Sequence, residues 1–344
     1  MGGCQPGASG NQSGFTAPFA SGTPNFPWGK LQRLPTQTST HSLLDHITDV
    51  AAVLHRLLLI PTVARALQRT AGRPWNDTDR ARLAVLAYLH DLGKANAGFQ
   101  SKYWSDSAQR PPGWPGHCGH GAEGWDLIDA CLSGQHWAQQ VAAGLPLAAM
   151  CDWGDAFIPL LHASISHHGR PVKSTGSSVF WRAVPGYDPA QALTAMGQAI
   201  QAQYPQAFVS DAPDLPSAPA FGHLFAGLVQ LSDWLGSDTR PGFFAYSQSG
   251  EIRSKTATAL ADKSLAAIGL IVEDAPNRHA TTSADFGHVF GLPSPRPMQA
   301  AMAQGEWGPV VVLEAETGSG KTEAALWRFL HLWRAGAVDA LYFA

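Results

Sequence analysis

Apolar residues recur at helical spacing through most of this chain and switch to a continuous β-type run only near its end, so the chain folds as helices first and as α/β only last. Leu43, Leu44, Ile47, Val50, Ala51, Leu54, Leu57 and Leu58 repeat on one helical face until Pro61 stops them, and Ser42 with Asp45 makes a capping-box start. The spacing predicts a second helix from near Asp77 or Thr78 carrying Leu83, Leu86, Leu89 and His90. Gly93 is placed to end it, so His90 and Asp91 fall in its last turn. Helical patterns resume at Gly121 to Leu132, Ala156 to Ile165, about Phe221 to Gly236 and, more weakly, 251–270. Loops rich in Pro, Gly and Ser separate them at Lys102 to Gly119 and Ser210 to Pro219. From Pro309 the texture changes. Val310, Val311, Val312 and Leu313 read as a buried strand, a Gly-rich turn follows, Lys321 to about Arg334 reads as a helix, and Ala340, Leu341, Tyr342 and Phe343 form a second apolar run. That is the opening of a βαβ unit, and a parallel sheet needs several. The expected fold class is mainly α, followed by the first elements of an incomplete α/β domain.

A length of 344 residues suggests about two domains. With 45% apolar and 14% charged residues, a sizeable core is available and wholesale disorder is excluded. Residues 1–36 are the exception: rich in Gly, Ser, Pro, Thr and Asn, they are expected to form a disordered arm. A net charge of −3 argues against holding duplex nucleic acid by bulk electrostatics, so any nucleic acid is held locally or delivered by a partner. Cys4, Cys118, Cys131 and Cys151 show neither a disulfide framework nor a paired zinc knuckle. The best membrane candidate, Ala51 to Leu67, is interrupted by His55, Arg56, Pro61 and Arg65. A soluble, cytoplasmic chain with no membrane partner is the expectation.

The chain has 14 histidines, several of them in distinctive settings: His46 on the first helix, the His90–Asp91 pair, His120 between glycines, and the His167–His168 doublet. Asp233 on a late helix joins them. Helix-borne imidazoles and carboxylates in this layout are how a helical bundle converges ligands on a metal pair, which activates water and clamps the oxygens of a phosphodiester. Standing alone, His90–Asp91 also reads as a helix-end imidazole beside a surface carboxylate. The following Leu92, Gly93 and Lys94 set a cation one turn away, where a phosphate oxygen needs neutralising. His55 and His162, lone imidazoles on apolar faces, read as packing residues. The same reading covers most of the 12 tryptophans, including Trp104, Trp114, Trp125, Trp153 and Trp234. Arg170 and Lys173, just past the histidine doublet, are candidates for backbone contacts to nucleic acid, with solvated surface charge as the competing reading.

Near the end, Ala315 to Thr322 is a phosphate-binding loop with Ala at the first Gly position. Thr317, Gly318, Ser319 and Gly320 turn backbone N–H groups toward phosphates at a helix N-terminus, Lys321 reaches the β and γ phosphates, and Thr322 ligates Mg²⁺.

His90-Asp91-Leu92-Gly93-Lys94, with His46 upstream, His120-Gly121-Ala122 and His167-His168-Gly169 downstream, and Ser232 to Ser237 last, resembles the HD nuclease domain of the CRISPR-associated type I nuclease-helicase, subtype I-E most of all. The likeness runs from about Ser42 to Ala344. With the compositional arm at 1–36 set aside, it implies an HD nuclease domain at 37–240, a linker and helical connection at 241–300, and the truncated start of a RecA-like helicase domain with its phosphate loop at 301–344. The chain then reads as an N-terminal fragment. The resemblance further implies that His46, His90, Asp91 and Asp233 hold one metal while Asp91, His120, His167 and His168 hold another, with Asp91 bridging. Lys94 would contact the scissile phosphate, and a hydroxide between the ions would attack phosphorus in line. Gln299 would read adenine. A His-rich donor set argues for iron, manganese, cobalt or nickel over magnesium. The implied activity is nicking and degradation of single-stranded DNA in CRISPR interference, with recruitment by the guide-RNA-bearing effector complex Cascade. ATP and Mg²⁺ would serve the phosphate loop of the complete protein. The alternatives are an HD-type nucleotide phosphohydrolase, with the same cluster in a closed pocket, and a non-catalytic docking module.

Overall fold

A strand pair precedes the helices, and its first strand lies within the 1–36 stretch expected to be a disordered arm. Trp28–Arg33 (β1) pairs antiparallel with Thr38–Ser42 (β2), Lys30 opposite His41 and Arg33 opposite Thr38, with an irregularity in register between Trp28 and Lys30. The computed structural model describes residues 27–33, 38–247, 251–270, 285–304, 307–308, 310–338 and 341–342; the remainder of the expected arm lies outside them. The run from Thr38 to His41 alternates β-branched and small polar residues, which suits a strand whose backbone partner is supplied from β1.

Helices follow as α1 (Leu43–Leu57), α2 (Pro61–Ala71), α3 (Asp77–Tyr88), α4 (Ala97–Gln100), α5 (Gly121–Leu132), α6 (His136–Val141) and α7 (Leu147–Cys151). Then come α8 (Phe157–Ile165), α9 (Pro189–Gln203), α10 (Pro219–Gly236), α11 (Arg253–Ala267), α12 (Phe286–Phe290), α13 (Pro297–Gln304) and α14 (Lys321–Arg334). Ser42 caps α1 by accepting from the Asp45 N–H at 3.0 Å, and Pro61 both ends the α1 pattern and opens α2 at the position where its missing N–H costs nothing. α3 starts with a reciprocal Asn76–Asp79 capping box.

α1 is the central element, packed against α3, α10 and α11. Ile47, Val50, Ala51, Val53, Leu54 and Leu57 on it are fully buried, so burial continues around most of its circumference. The helix expected within the 241–300 connection is α11, and it lies along α1 rather than spanning solvent. Arg253 at its start forks onto the buried Asp49 of α1, at 2.7 and 3.0 Å, and His41 of β2 approaches the same carboxylate at 3.2 Å. Strand, first helix and connecting helix are thereby tied at one buried charge pair.

α3 ends one turn earlier than its pattern suggested. Its last residue is Tyr88, and His90 and Asp91 occupy the turn beyond, before a 3₁₀ turn at Leu92–Ala95. Gly93 serves close approach instead of capping: a Cβ there would lie 1.8 Å from the His120 carbonyl oxygen, so only glycine lets the start of α5 come this near.

The segment 310–316 is not part of a strand. Val310 and Val312 are 82% and 88% exposed, because a strand acquires its ladder from neighbours and none flanks this run among the described residues. The second apolar run lies partly outside the described residues. α14 forms as expected. No single described helix is long and apolar enough to cross a membrane, and α1 and α2 meet at 83°.

Removing one partner of a buried ion pair leaves an uncompensated charge, so Asp49→Ala and Arg253→Met should each lower unfolding free energy by about 3–5 kcal/mol. Urea denaturation of both single variants and the double variant checks this: the double variant should lose less than the sum of the two.

Candidate metal centre

The seven side chains singled out as ligands come together, most of them from helix ends. His46 projects from the first turns of α1, His90 and Asp91 from the turn after α3, His120 from the residue that precedes α5, His167 and His168 from the turn after α8, and Asp233 from the last turn of α10. Helix ends suit this task, because their irregular backbone can aim several short side chains at one point.

Asp91 divides its carboxylate between two groups of imidazoles. Its Oδ2 is 2.9 Å from His46 Nε2 and 3.3 Å from His90 Nε2, and Asp233 Oδ1 stands 3.7 Å from each of those rings. Its Oδ1 is 3.1 Å from His120 Nε2 and 3.7 Å from His167 Nε2, while His168 Nε2 lies 3.0 Å from His120 Nε2. Within each group, His46, His90, Asp91 and Asp233 on one side and His120, His167 and His168 on the other, the ligand atoms lie within 4.8 Å of one another. Asp91 Oδ1 and His90 Nε2 are buried yet make no hydrogen bond, as is His46 Nδ1. Buried polar atoms without partners are costly, and the free atoms Asp91 Oδ1 and His90 Nε2, each facing one of the two groups, fit bound cations.

The outer ring atoms are tied down. His90 Nδ1–H donates to the Ala87 carbonyl at 2.7 Å and His167 Nδ1–H to the Ser164 carbonyl at 3.0 Å, a tautomer that leaves Nε2 facing the cluster with its lone pair. Gln230 donates to the His167 carbonyl at 2.8 Å, and Ser164 Oγ to Leu86 at 2.7 Å.

Burial, then the nearby Lys94 cation, pushes His46 well below the ordinary imidazole range; burial, then His90, pushes His167 down to about 4. His168 is lowered by burial and by His120. Burial also opposes a charge on His90, but the Asp91 and Asp233 carboxylates outweigh it and lift that ring to about 9. Burial disfavours ionised Asp91, yet Lys94 and the surrounding imidazoles hold it well below the carboxylate range; Asp233 is lowered likewise against its burial, chiefly by His90. One imidazolium thus sits between two carboxylates, and a metal ligand there must be neutral. His120 and His168 reach solvent while His46, His90 and Asp91 do not, so the cluster is open on the His120–His168 side.

Lys94 lies in the 3₁₀ turn, its ammonium against Asp91 Oδ2. Gln100, fully buried, accepts from the Trp28 N–H at 3.0 Å and donates both to the Trp28 carbonyl at 2.9 Å and to the Lys94 carbonyl at 2.7 Å. This staple from β1 to the Lys94 turn was missed in the sequence, as was Lys30 beside it. The threonines Thr38 and Thr40, alternating with Ser39, were the available signal that a strand pair lay there. Asp126 of α5 was also missed; it accepts from Ser174, Thr175, Gly176 and Ser177 and pins the loop that follows the histidine doublet. Trp153 and Trp114 are buried, but Trp234, next to the candidate ligand Asp233, is 72% exposed.

At the phosphate loop, Gly318 and Gly320 adopt positive φ of 78° and 89°, and Lys321 opens α14, its ammonium donating to the Ala315 and Glu316 carbonyls at 2.7 and 2.8 Å. Gln299 is buried and donates to the Gly320 carbonyl at 3.2 Å, so the two parts of that motif do meet. Ser319 Oγ is buried without a partner.

A helical domain that converges five imidazoles and two carboxylates in two adjoining groups defines a His/Asp centre of metal-binding type. The chain belongs to the family described as Cas3, HD domain, whose model matches residues 28–241 and so takes in β1. It is 29% identical over 319 residues to the CRISPR-associated endonuclease/helicase Cas3 of Thermus thermophilus, a match covering 86% of this chain and 31% of that protein. A solved structure described as a CRISPR-associated protein has a similar fold, with TM-score 0.64 and 23% identity over 90% of this chain and 34% of that one. A chain of a CRISPR RNA-guided surveillance complex, pre-nicking, is similar with TM-score 0.54 and 20% identity over 89% of this chain and 35% of that one. The chain spans about a third of the length of the curated relatives it matches.

In the metal-free chain His90 is charged below about 9, above the unfolded imidazole value of about 6.5. Its contribution to stability is complete below pH ~6.5 and lost as pH rises through 9. Metal must displace that proton, so Mn²⁺ affinity should rise about tenfold per pH unit between pH ~6.5 and ~9, with about one proton released per binding event. Calorimetric Mn²⁺ titrations in buffers of different ionisation enthalpy check both.

Proposed function

We propose that this chain is the metal-dependent nuclease part of a CRISPR interference protein, nicking and degrading single-stranded DNA, with residues 301–344 as the ATP-binding start of a helicase. The observation that carries the reading is the Asp91 carboxylate, one oxygen toward His46 and His90 and the other toward His120 and His167. The family and its relatives, an endonuclease/helicase among them, point the same way.

His46, His90, Asp91 and Asp233 are the proposed holders of one divalent ion and Asp91, His120, His167 and His168 of the other. The unpartnered His90 Nε2 and Asp91 Oδ1 fit that assignment. Their imidazole-rich chemistry favours iron, manganese, cobalt or nickel over magnesium. A metal pair held there supplies Lewis acidity and a water acidic enough to lose its proton near neutral pH. The protein's own side chains do the rest. Lys94 neutralises a phosphate oxygen, the carbonyls of Ala87 and Ser164 keep the His90 and His167 tautomers fixed, and the exposed His120–His168 side admits the strand. With a net charge of −3 the chain has little general hold on DNA, which suits delivery of an opened strand by a partner. The guide-RNA-bearing Cascade complex is the proposed partner, on the similarity to a chain of a surveillance complex. Thr317 to Thr322, with Gln299 hydrogen-bonded to Gly320, form the proposed ATP and Mg²⁺ site.

Metal-stripped protein given Mn²⁺, Co²⁺ or Ni²⁺ should cut circular single-stranded DNA without ATP, and Asp91→Ala should abolish cutting while the helical circular-dichroism spectrum persists. Release of phosphate from mononucleotides with no strand scission would favour the nucleotide phosphohydrolase instead.

A further inference from the structure

The strand β1 forms a wall of the metal centre. A Cβ on Gly29 would lie 3.0 Å from His46 Cβ and 3.1 Å from Leu43 Cα, so the backbone of this strand runs directly against a ligand-bearing helix. The pairing irregularity between Trp28 and Lys30 falls at the same residue, and such bulges beside functional sites re-aim the side chain that follows. Trp28 is fixed on both sides. Its N–H and carbonyl are held by Gln100, whose amide also holds the Lys94 carbonyl, and its ring packs on Phe99 with centroids 4.8 Å apart. Lys30 is therefore placed by the same hydrogen-bonded unit that places Lys94.

Lys30 is half-buried and lies within electrostatic reach of Lys94, Asp233, Asp91 and Asp49. Its ammonium makes no ion pair or hydrogen bond with any described residue, whereas Lys94 rests on Asp91, and Asp49 is taken by Arg253 and His41. Burial and the Lys94 charge lower its ammonium to about 8, so it is still charged at neutral pH. A lysine withdrawn from water without a carboxylate of its own, beside a second lysine and a candidate two-ion centre, has the chemistry of a group waiting for an anion.

We infer that Lys30 is a second phosphate-binding lysine of this centre, set beside Lys94 to hold a non-bridging oxygen of the substrate's phosphodiester. The inference rests on reading the centre as one that acts on phosphate esters, and it specifies which residue of β1 takes part. A hydrogen bond between an ammonium and phosphate contributes on the order of 1.5–3 kcal/mol, which is about a ten- to hundredfold change in dissociation constant.

The test uses the whole chain loaded with Mn²⁺, inorganic phosphate as the probe, and the variants Lys30→Met, which keeps the apolar stem, and Lys30→Arg, which keeps the charge. Lys30→Met should retain the parent's Mn²⁺ stoichiometry and melting temperature but bind phosphate about ten- to hundredfold more weakly, and Lys30→Arg should recover most of the loss. Unchanged phosphate affinity in Lys30→Met, no phosphate binding by the parent, or loss of bound Mn²⁺ in both variants would overturn the inference. Cutting of circular single-stranded DNA by the parent is measured alongside. If the parent binds phosphate through Lys30 but does not cut, the inference stands and the nuclease reading falls.

Discussion

A carboxylate with no access to water and more imidazole neighbours than it can satisfy dominates this molecule. Asp91 is buried, flanked by four imidazoles within 3.7 Å and by Lys94, and one of its oxygens is left without a hydrogen bond. Such an arrangement is expensive as a purely structural device, because desolvation of the carboxylate and the rings is offset only partly by the charges around it. It fits the proposed role of a ligand set held in advance of bound ions. Pre-positioning of this kind needs rigid support, and each helix that contributes a candidate ligand is anchored by burial elsewhere.

That support comes from the packing around α1. Its apolar circumference fixes His46, its Asp49 anchors α11 and β2, and its neighbours α3 and α10 deliver His90, Asp91 and Asp233 from their ends. The α5 group arrives by a different device. Gly93 has no side chain where the His120 carbonyl must pass, so the 3₁₀ turn carrying Lys94 and the start of α5 can nearly touch. A mainly helical bundle thereby collects the candidate ligands from five separated stretches of chain at one place. Two of those stretches carry adjacent candidate pairs, His90–Asp91 within one group and His167–His168 within the other.

Much of this was legible before the structure. The helices with strong periodicity fall where their patterns place them, α5 and α14 to the residue named, and the seven metal-ligand candidates converge because their residue types have few other reasons to recur on apolar helices. What was not legible depends on contacts distant in sequence. β1 has no periodicity of its own and exists because β2 pairs with it and Gln100 holds its first residue. The Arg253–Asp49 pair joins residues 204 apart, which no local pattern encodes. The run Val310–Leu313 shows the converse: strong β propensity does not make a strand where, among the described residues, no neighbouring strand supplies the ladder. The one-turn shortening of α3 is of the same kind, since the end of a helix is decided by what its last carbonyls meet.

The central claim is that Asp91 joins two ions. Crystals of the protein grown with Mn²⁺ and measured at the manganese absorption edge test it directly. Two anomalous peaks about 3.5–4 Å apart, each within bonding distance of a different Asp91 oxygen, are expected. A single peak, or two peaks of which only one touches Asp91, would contradict it.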